Sequence, residues 1–302
     1  MGWRSTMVIT PDIPDLPFTV EEGMKCFVLV AEPVTRELLP GIKMKGWGYN
    51  GSIPGPTIRV KQGDWVKIRV INHLPEATSV HWHGLDIPNS MDGVPEVEPT
   101  PKIRPGEYFD YCFQIMNAPG THMYHTHHNT VTQELMGLGG GFIIESECND
   151  YIHRDYFIML QEFHLQGLPK GELKKGDYDL DPLTDSFNFF TMNGRCFPYS
   201  NSLPVKYGEN IRIRLGNIGM NAHPIHLHGH QFLLTAADGN EISSSARLLR
   251  NTIEVSSGTT YDLLFCANNP GTWPFHCHMP HHISNNFTKP IGGMFKTIVY
   301  EK

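Results

Sequence analysis

The sequence has no basic segment, no long apolar run and few long amphipathic helical patterns. Its 31 acidic residues outnumber its 24 basic ones, and the net charge is −7. Nucleic acids and anionic membrane surfaces are therefore excluded as expected partners. No run of about 18 apolar residues is available to span a bilayer. Residues 1–18 lack the basic-then-apolar pattern of a secretory signal, so we expect the chain to stay inside the cell or to have lost its signal.

Cysteine is also scarce, with six residues among 302. One of them, Cys277, lies between two histidines in the segment Phe275–His282 and is a candidate metal ligand. The other five are an odd number that cannot all pair, so no disulfide framework is predicted. We expect these five to behave as small buried hydrophobes: Cys26, Cys112, Cys148, Cys196 and Cys266.

Proline (23) and glycine (29) are frequent, and they separate short strand-like runs. Apolar and polar residues alternate in Trp65–Val70 and again in Ile211–Leu215, as is typical of half-buried strands. The chain is therefore predicted to be all-β. Its length fits two domains of about 150 residues.

An internal repeat supports two domains. Pro119–His127 and Pro270–His278 both read Pro-Gly-Thr, two variable residues, an aromatic residue and His-X-His, at an offset of 151 from position 119 to position 270. His81–Gly84 and His226–Gly229 match at an offset of 145. We predict an N-terminal arm (1–19), a first Greek-key β-sandwich domain (20–148) and a second one (149–302), with a polar loop at 170–185.

Four His-X-His pairs place eight imidazoles at matching positions of the two halves. Residues i and i+2 of a strand point to the same face, so both histidines of a pair project together. Imidazole binds copper and zinc well. Structural zinc needs only four ligands, fewer than this set provides, and copper is the predicted metal. The eight are His81, His83, His125, His127, His226, His228, His276 and His278.

A second metal centre is predicted around Cys277. Two imidazoles (His223 and His282), one thiolate and a weak axial methionine form the ligand set of blue-copper electron-transfer sites. Met294 is our preferred axial ligand, and Phe287 is the alternative from its spacing to Cys277. An axial Phe would leave the copper three-coordinate and raise its reduction potential.

The first half of the repeat has none of these strong ligands. Applying the two offsets places Thr78, Thr126 and Val131 where the second half has His223, Cys277 and His282. The first domain is therefore predicted to hold no blue copper.

Together these motifs resemble those of the multicopper oxidases, the laccase family. They are His-Trp-His-Gly at 81–84, His-X-His at 125–127, His-Pro-X-His-Leu-His-Gly-His at 223–230 and His-Cys-His with a further histidine at 276–282. The chain looks like the two-domain laccases whose blue copper is confined to the second domain. The resemblance implies cupredoxin-like domains and four coppers per chain.

By that resemblance, His81 and His226 bind type 2 copper, and His223, Cys277 and His282 bind type 1 copper. The remaining six histidines bind the type 3 copper pair: His83, His125, His127, His228, His276 and His278. The implied reaction removes single electrons from a phenol or another small reduced substrate at type 1 copper. Dioxygen is reduced to water at the trinuclear cluster.

The family resemblance also implies an acid near the cluster and a shared site. Asp92, eleven residues after His81, corresponds to a cluster-side aspartate that supplies protons. A second carboxylate that some relatives place after His-Cys-His is absent, since Pro280, His281 and Ile283 fill that stretch. The implied oligomer is a homotrimer with cluster sites between neighbouring subunits. Relatives are often periplasmic or secreted.

The same residues bear on three other functions. A metal-ion oxidase for cuprous or manganese ions stays open, although the methionines are dispersed. A copper nitrite reductase would carry type 1 copper in the first domain, where Thr126 replaces the thiolate. A non-enzymatic electron carrier or copper-sequestering protein would have no use for the eight additional histidines.

Overall fold

The computed structural model describes residues 6–146 and 151–301, and within them strands dominate. The first ten strands are β1 (Val8–Ile9), β2 (Phe18–Glu21), β3 (Met24–Leu39), β4 (Ile42–Tyr49), β5 (Gly55–Lys61), β6 (Trp65–Asn72), β7 (His81–His83), β8 (Tyr108–Gln114), β9 (Gly120–His125) and β10 (Gly139–Glu145). A short helix, α1 (Thr130–Gln133), lies between β9 and β10.

The later strands are β11 (Arg154–Phe163), β12 (Gly176–Asp179), β13 (Phe189–Met192), β14 (Leu203–Val205), β15 (Asn210–Asn217), β16 (His223–Leu227), β17 (Phe232–Ala237), β18 (Asn240–Glu241), β19 (Leu249–Arg250), β20 (Thr252–Val255), β21 (Thr260–Cys266), β22 (Thr272–Cys277) and β23 (Phe295–Tyr300). Three 3₁₀ segments occur at Asn89–Met91, Ser244–Ala246 and Pro280–Ile283. No helix in these described ranges is long and apolar enough to cross a membrane.

Two sheets form what we call the N-terminal sandwich. One sheet has the strand order β12-β4-β3-β6-β8, with β2 paired to β3, and the other has the order β5-β10-β9-β7. The alternating side chains of both sheets meet in one core, where Phe27 and Ile68 pack with Trp82 and Phe142. Trp82 is fully buried because it points away from its neighbours His81 and His83 in β7.

The C-terminal sandwich repeats this plan. Its larger sheet has the order β1-β11-β15-β21-β17-β18, with β13 on β11 and β19 on β17, and its smaller sheet has the order β14-β23-β22-β16-β20. Ile213 and Leu263 of the larger sheet share a core with Ile225, Phe275 and the thiol-bearing Cys277. The all-β, cupredoxin-like fold expected from the sequence is confirmed.

Each sandwich receives a strand from the other part of the chain. The arm strand β1 pairs in parallel with β11 of the C-terminal sandwich. The segment 170–185, predicted as a polar loop within the second domain, contains β12, which pairs with β4 at the edge of the N-terminal sandwich. Unpaired edge groups of β4 favour this addition. The domain boundary at 148 stays a prediction, since Cys148 lies outside the described residues.

The expectation for the remaining cysteines holds only in part. Cys196 is buried, and burial raises the pKa of its thiol. Cys26 and Cys112 are half-buried, whereas Cys266, at the end of β21, is exposed, contrary to the expectation.

Candidate copper centres

Strands β7 and β9 bring four imidazoles of the N-terminal sandwich together. The register pairs His81 with His125, and ring contacts of 5.4–6.2 Å link these two residues with His83 and His127. We call His81, His83, His125 and His127 the first quartet. Nδ1 of His83 and Nε2 of His125 are 3.2 Å apart, close enough for both to bind one ion at about 2 Å.

Neighbouring carbonyl groups orient the first quartet. Nδ1–H of His81 donates to the carbonyl of Asp92 (2.9 Å), and Nδ1–H of His125 donates to the carbonyl of Thr126 (2.8 Å). These bonds select the tautomer that leaves Nε2 free as a ligand. Burial lowers the pKa of His81, and burial together with His125 and His81 lowers that of His83 to about 4. These two imidazoles are therefore neutral at pH 7 and available to a metal.

Strands β16 and β22 build an equivalent group in the C-terminal sandwich. The register pairs His226 with His276, and ring contacts of 4.7–5.9 Å include His228 and His278. These four histidines are the second quartet. Nε2 of His228 and Nε2 of His276 are 3.0 Å apart. Nδ1–H of His276 donates to the carbonyl of Cys277 (2.7 Å), matching His125 in the first quartet.

The two quartets open into different cavities. The first lines a cavity of about 250 Å³ together with Ile218, Ser257 and Gly258. Two histidines of the second, His226 and His228, line an open cavity of about 670 Å³ that also includes Leu249 and Asn251. Among the described residues, no ring contact joins a histidine of one quartet to a histidine of the other. The two quartets are thus separate groups within these ranges of the chain.

Cys277, His223 and His282 meet in the C-terminal core, and we call them the thiolate centre. Sγ of Cys277 lies 3.4 Å from Nδ1 of His282 and 3.9 Å from Nδ1 of His223, and the two Nδ1 atoms are 3.0 Å apart. All three residues are buried. Three converging N, N and S donors at these separations fit one trigonal copper ion.

Burial controls the protonation of this centre. It raises the pKa of the Cys277 thiol to about 12, with the Glu162 carboxylate adding to the rise. It also lowers the pKa of His282 to about 3, helped by His223. The ring of His282 stacks on Phe190 at 3.9 Å, which fixes its plane. Metal binding at Cys277 therefore requires release of the thiol proton.

The two axial candidates lie in different surroundings. Met294 is fully buried in the same core as Cys277. Its carbonyl accepts the Cys277 N–H (3.1 Å), and its own N–H donates to the carbonyl of His282 (2.8 Å). Phe287 is half-buried instead, with its ring 5.5 Å from that of His281 and beneath the Lys170 ammonium at 4.3 Å.

A polar cluster fills the corresponding place in the N-terminal sandwich. The hydroxyls of Thr78 and Thr126 both donate to Oε1 of Gln133, at 2.8 and 2.6 Å. Val131, which simple offset placed here, is 65 % exposed, whereas Gln133 is fully buried. Helix α1 accounts for this correction, because its single turn directs Gln133 inward and Val131 outward.

Several carboxylates surround these centres. Oδ2 of Asp92 lies 3.3 Å from Nδ1 of His81, beside the first quartet as the sequence predicted. Three others were not identified from the sequence. Glu134 contacts Nδ1 of His125, and Glu162 contacts His223. Partial burial and the Asp92 carboxylate raise the pKa of Glu98. No spacing rule links these residues to the motifs, since their proximity arises only in the folded chain.

The fold and the donor sets define a cupredoxin-like protein with sites for copper. Two profiles, both described as multicopper oxidase, match residues 31–149 and 172–290. The chain belongs to the multicopper oxidase family, and copper is the metal that this family implies.

Three relatives illustrate the likeness. The blue copper oxidase of Nitrosomonas europaea has a TM-score of 0.80 at 30% identity, covering 90% of this chain and 85% of that one. The multicopper oxidase mgLAC has a TM-score of 0.79 at 30% identity, covering 91% and 85%. The multicopper oxidase mco of Staphylococcus aureus is 31% identical over 75% of this chain and 50% of its own length. The chain thus spans about half the length of the curated relatives it matches.

Proposed function

We propose that this protein is a laccase-like multicopper oxidase that couples one-electron oxidation of phenols or other small reduced compounds to four-electron reduction of dioxygen. The placement of the thiolate centre beside the second quartet, on β16, β22 and the residues that follow them, supports this proposal most strongly. The first quartet on β7 and β9 supplies the matching imidazoles. Copper at the thiolate centre would supply the one-electron oxidation, and copper at the quartets would supply the reduction of dioxygen to water.

The proposed ligands keep the roles implied by the motifs. His223, Cys277 and His282 hold type 1 copper, and Met294 is the proposed axial ligand because it shares the buried core with Cys277. His81 and His226 hold type 2 copper. The other six histidines hold the type 3 pair: His83, His125, His127, His228, His276 and His278. That gives four coppers per chain. Since His276 and His278 flank Cys277, one covalent tripeptide joins the two kinds of centre.

A homotrimer is proposed because each chain contributes two separate halves of the cluster. The face beside the first quartet exposes Val131 and Met220 (65 and 54%), and the second quartet's cavity includes Leu249 (62% exposed). Contact between the first-quartet face of one chain and the second-quartet face of the next would bury these apolar side chains. Such a head-to-tail contact closes into a ring.

The chain's carboxylates have defined tasks in this proposal. Asp92 orients His81 through its carbonyl and holds at Oδ2 a proton that oxygen reduction consumes. Glu134 has a similar position at His125 and supplies an acidic group that the stretch after Cys277 lacks. Both side chains are about one quarter exposed, so both can exchange protons with water.

The competing functions fit the donor sets less well. A copper nitrite reductase with type 1 copper in its first domain would need a thiolate centre in the first sandwich. At that place, Thr78, Thr126 and Gln133 hydrogen-bond to one another. An electron carrier would need the thiolate centre alone. A metal-ion oxidase uses the same copper centres and differs only in its donor, so cuprous and manganese ions belong among the substrates to be assayed.

Copper content and spectra of the wild type beside Cys277→Ser test the proposal. We expect four coppers per wild-type chain, an intense blue band, and oxygen uptake with 2,6-dimethoxyphenol. The variant should retain three coppers and the type 2 signal but lose the blue band and the oxygen uptake. A wild type with two coppers and no coupled pair would contradict the proposal. Faster turnover of cuprous or manganese ions than of phenols would favour the metal-ion alternative.

A further inference from the structure

Glu162, on β11, is a buried carboxylate in contact with the thiolate centre. Its Oε2 lies 3.0 Å from Nε2 of His223, and both side chains are 0% exposed. Its Oε1 accepts the N–H of Asn221 at 2.8 Å. A fully buried carboxylate is costly to desolvate, so its retention calls for a specific role.

We propose that Glu162 is a positioning residue that directs His223 toward the type 1 copper and lowers the reduction potential of that copper. This inference rests on the proposed function, since it assumes that His223 binds type 1 copper.

The orienting role follows from the two nitrogens of one ring. Nδ1 of His223 faces Sγ of Cys277 and Nδ1 of His282, while Nε2 faces Glu162. With Nε2–H donated to the carboxylate, the proton is fixed on Nε2 and the lone pair on Nδ1 faces the Cys277 and His282 donors, where copper would bind. A carboxylate on the outer nitrogen also makes the imidazole a more basic ligand.

The effect on the potential follows from charge. The hydrogen-bond partners of the Glu162 side chain within the described residues are the backbone N–H of Asn221 and Nε2 of His223, and neither belongs to a Lys or Arg. Its negative charge is therefore not offset by a nearby Lys or Arg ion pair there, and water does not screen it. Such a charge one imidazole away from the metal stabilises Cu(II) over Cu(I).

The N-terminal sandwich provides an internal comparison. Asn72 and Asn217 make the same turn, their Oδ1 atoms accepting the N–H of the residue two positions on. The strand registers pair Ala31 with Asn72 and Leu160 with Asn217, which aligns Pro33 with Glu162. Pro33 is exposed and has no carboxylate. The buried carboxylate thus occurs in the sandwich that has the thiolate centre.

Gly219 offers a second way to disturb Glu162 without removing its charge. A Cβ at position 219 would lie 2.1 Å from Oε2 and 2.8 Å from Oε1 of Glu162. Gly219 is buried beside a carboxylate that is itself held by two donors, so Gly219→Ala would push that carboxylate away from His223.

Redox titration of the blue band in Glu162→Gln, Glu162→Asp and Gly219→Ala tests the inference. In Glu162→Gln we expect the Cu(II)/Cu(I) equilibrium to shift toward Cu(I) at least tenfold, which is 59 mV for one electron. Gly219→Ala should shift it less in the same direction, and Glu162→Asp, which keeps the charge, should stay nearer the wild type. Loss of type 1 copper from folded Glu162→Gln would likewise support the orienting role.

Glu76→Gln is the matched control. Glu76 accepts a hydrogen bond from Gln133 in the polar cluster of the N-terminal sandwich, so its loss should leave the blue copper unchanged. Wild-type potentials and spectra in both Glu162→Gln and Gly219→Ala would overturn the inference, even if the apoproteins unfold at lower temperature. If Glu162→Gln does not fold, the potential and spectrum of Gly219→Ala alone test the inference. A wild type without a blue band would overturn the proposed function and this inference with it.

Discussion

In the N-terminal sandwich, Thr78, Thr126 and Gln133 hydrogen-bond to one another at the place where the C-terminal sandwich brings together His223, Cys277 and His282. The strands around both places are alike. In each sandwich, two His-X-His pairs lie on paired strands in the same register, His81 opposite His125 and His226 opposite His276. The same scaffold therefore supports either a closed hydrogen-bond network or a converging set of metal donors. Side-chain chemistry decides which one forms, together with the one-turn helix α1 that directs Gln133 inward in place of Val131.

The largest effect is expected from changes in the histidine quartets, which the two sandwiches share. The test uses one matched histidine from each quartet. His125→Ala and His276→Ala each remove an imidazole at the same position of the repeat. Oxygen uptake should fall to background in both variants, because each quartet would be half of one cluster in the proposed oligomer. The blue band should persist in both, since the thiolate centre keeps its three ligands. Retained turnover in either variant would show that its quartet is dispensable.

Asp92→Asn should have the next largest effect. Loss of a positioned acid beside His81 should slow oxygen reduction roughly 10²-fold, while donor oxidation at the blue copper stays unchanged. Stopped-flow traces of reduction by donor and reoxidation by oxygen separate these steps. Asp86→Asn is the control, because its carboxylate is exposed and accepts a hydrogen bond from Asn117. Reoxidation at the wild-type rate in Asp92→Asn would remove Asp92 from the mechanism.

A pH series on the apoprotein tests whether the thiolate centre, which the N-terminal sandwich lacks, holds a protonated Cys277 before metal binds. Burial keeps the pKa of Cys277 at about 12, so the thiol is protonated near neutral pH and must lose one proton on binding. His282, with a pKa of about 3, contributes no proton. The affinity for Co²⁺, followed by its thiolate absorption band, should rise about tenfold per unit between pH 7 and 9. A pH-independent affinity would mean that the apoprotein already holds a thiolate.

The smallest effect is expected for Thr126→Val. This change removes one hydrogen bond to Gln133, and Thr78 still occupies the same acceptor. The free energy of unfolding should fall by about 1 kcal/mol, with copper content and blue band unchanged. Urea denaturation measures the free energy of unfolding, and parallel absorbance spectra measure the blue band. Loss of blue copper in Thr126→Val would contradict the assignment of the N-terminal cluster to structure alone.

The sequence predicted the all-β fold and the shared face of each His-X-His pair because both depend on local periodicity, whereas the union of two pairs in a quartet depends on long-range strand pairing. His81 and His83 share a face by strand geometry, and Cys277 and His282 are only five residues apart. Asp92 was expected from the family resemblance, whereas Glu162 escaped prediction because its contact with His223 joins distant segments. Glu162 is 61 positions from His223 in the sequence. The shift from Val131 to Gln133 was also missed, since a one-turn helix changes which residue faces inward.

Exchange of strands between the sandwiches was unpredictable for the same reason. The β12 segment is polar and short, so its alternation gives little signal, and its partner β4 lies more than 130 residues earlier. Pairing with an open sheet edge depends on tertiary position and not on local pattern.

Completion of one cluster by two chains is the central claim, and subunit mixing tests it most directly. Co-expressed His125→Ala and His276→Ala chains, separated by two affinity tags, form hybrid oligomers. At some contacts, an intact first quartet from a His276→Ala chain meets an intact second quartet from a His125→Ala chain. We predict that purified hybrids recover oxygen uptake that neither variant shows alone. Inactive hybrids, formed from variants that both retain the blue band, would contradict the shared site.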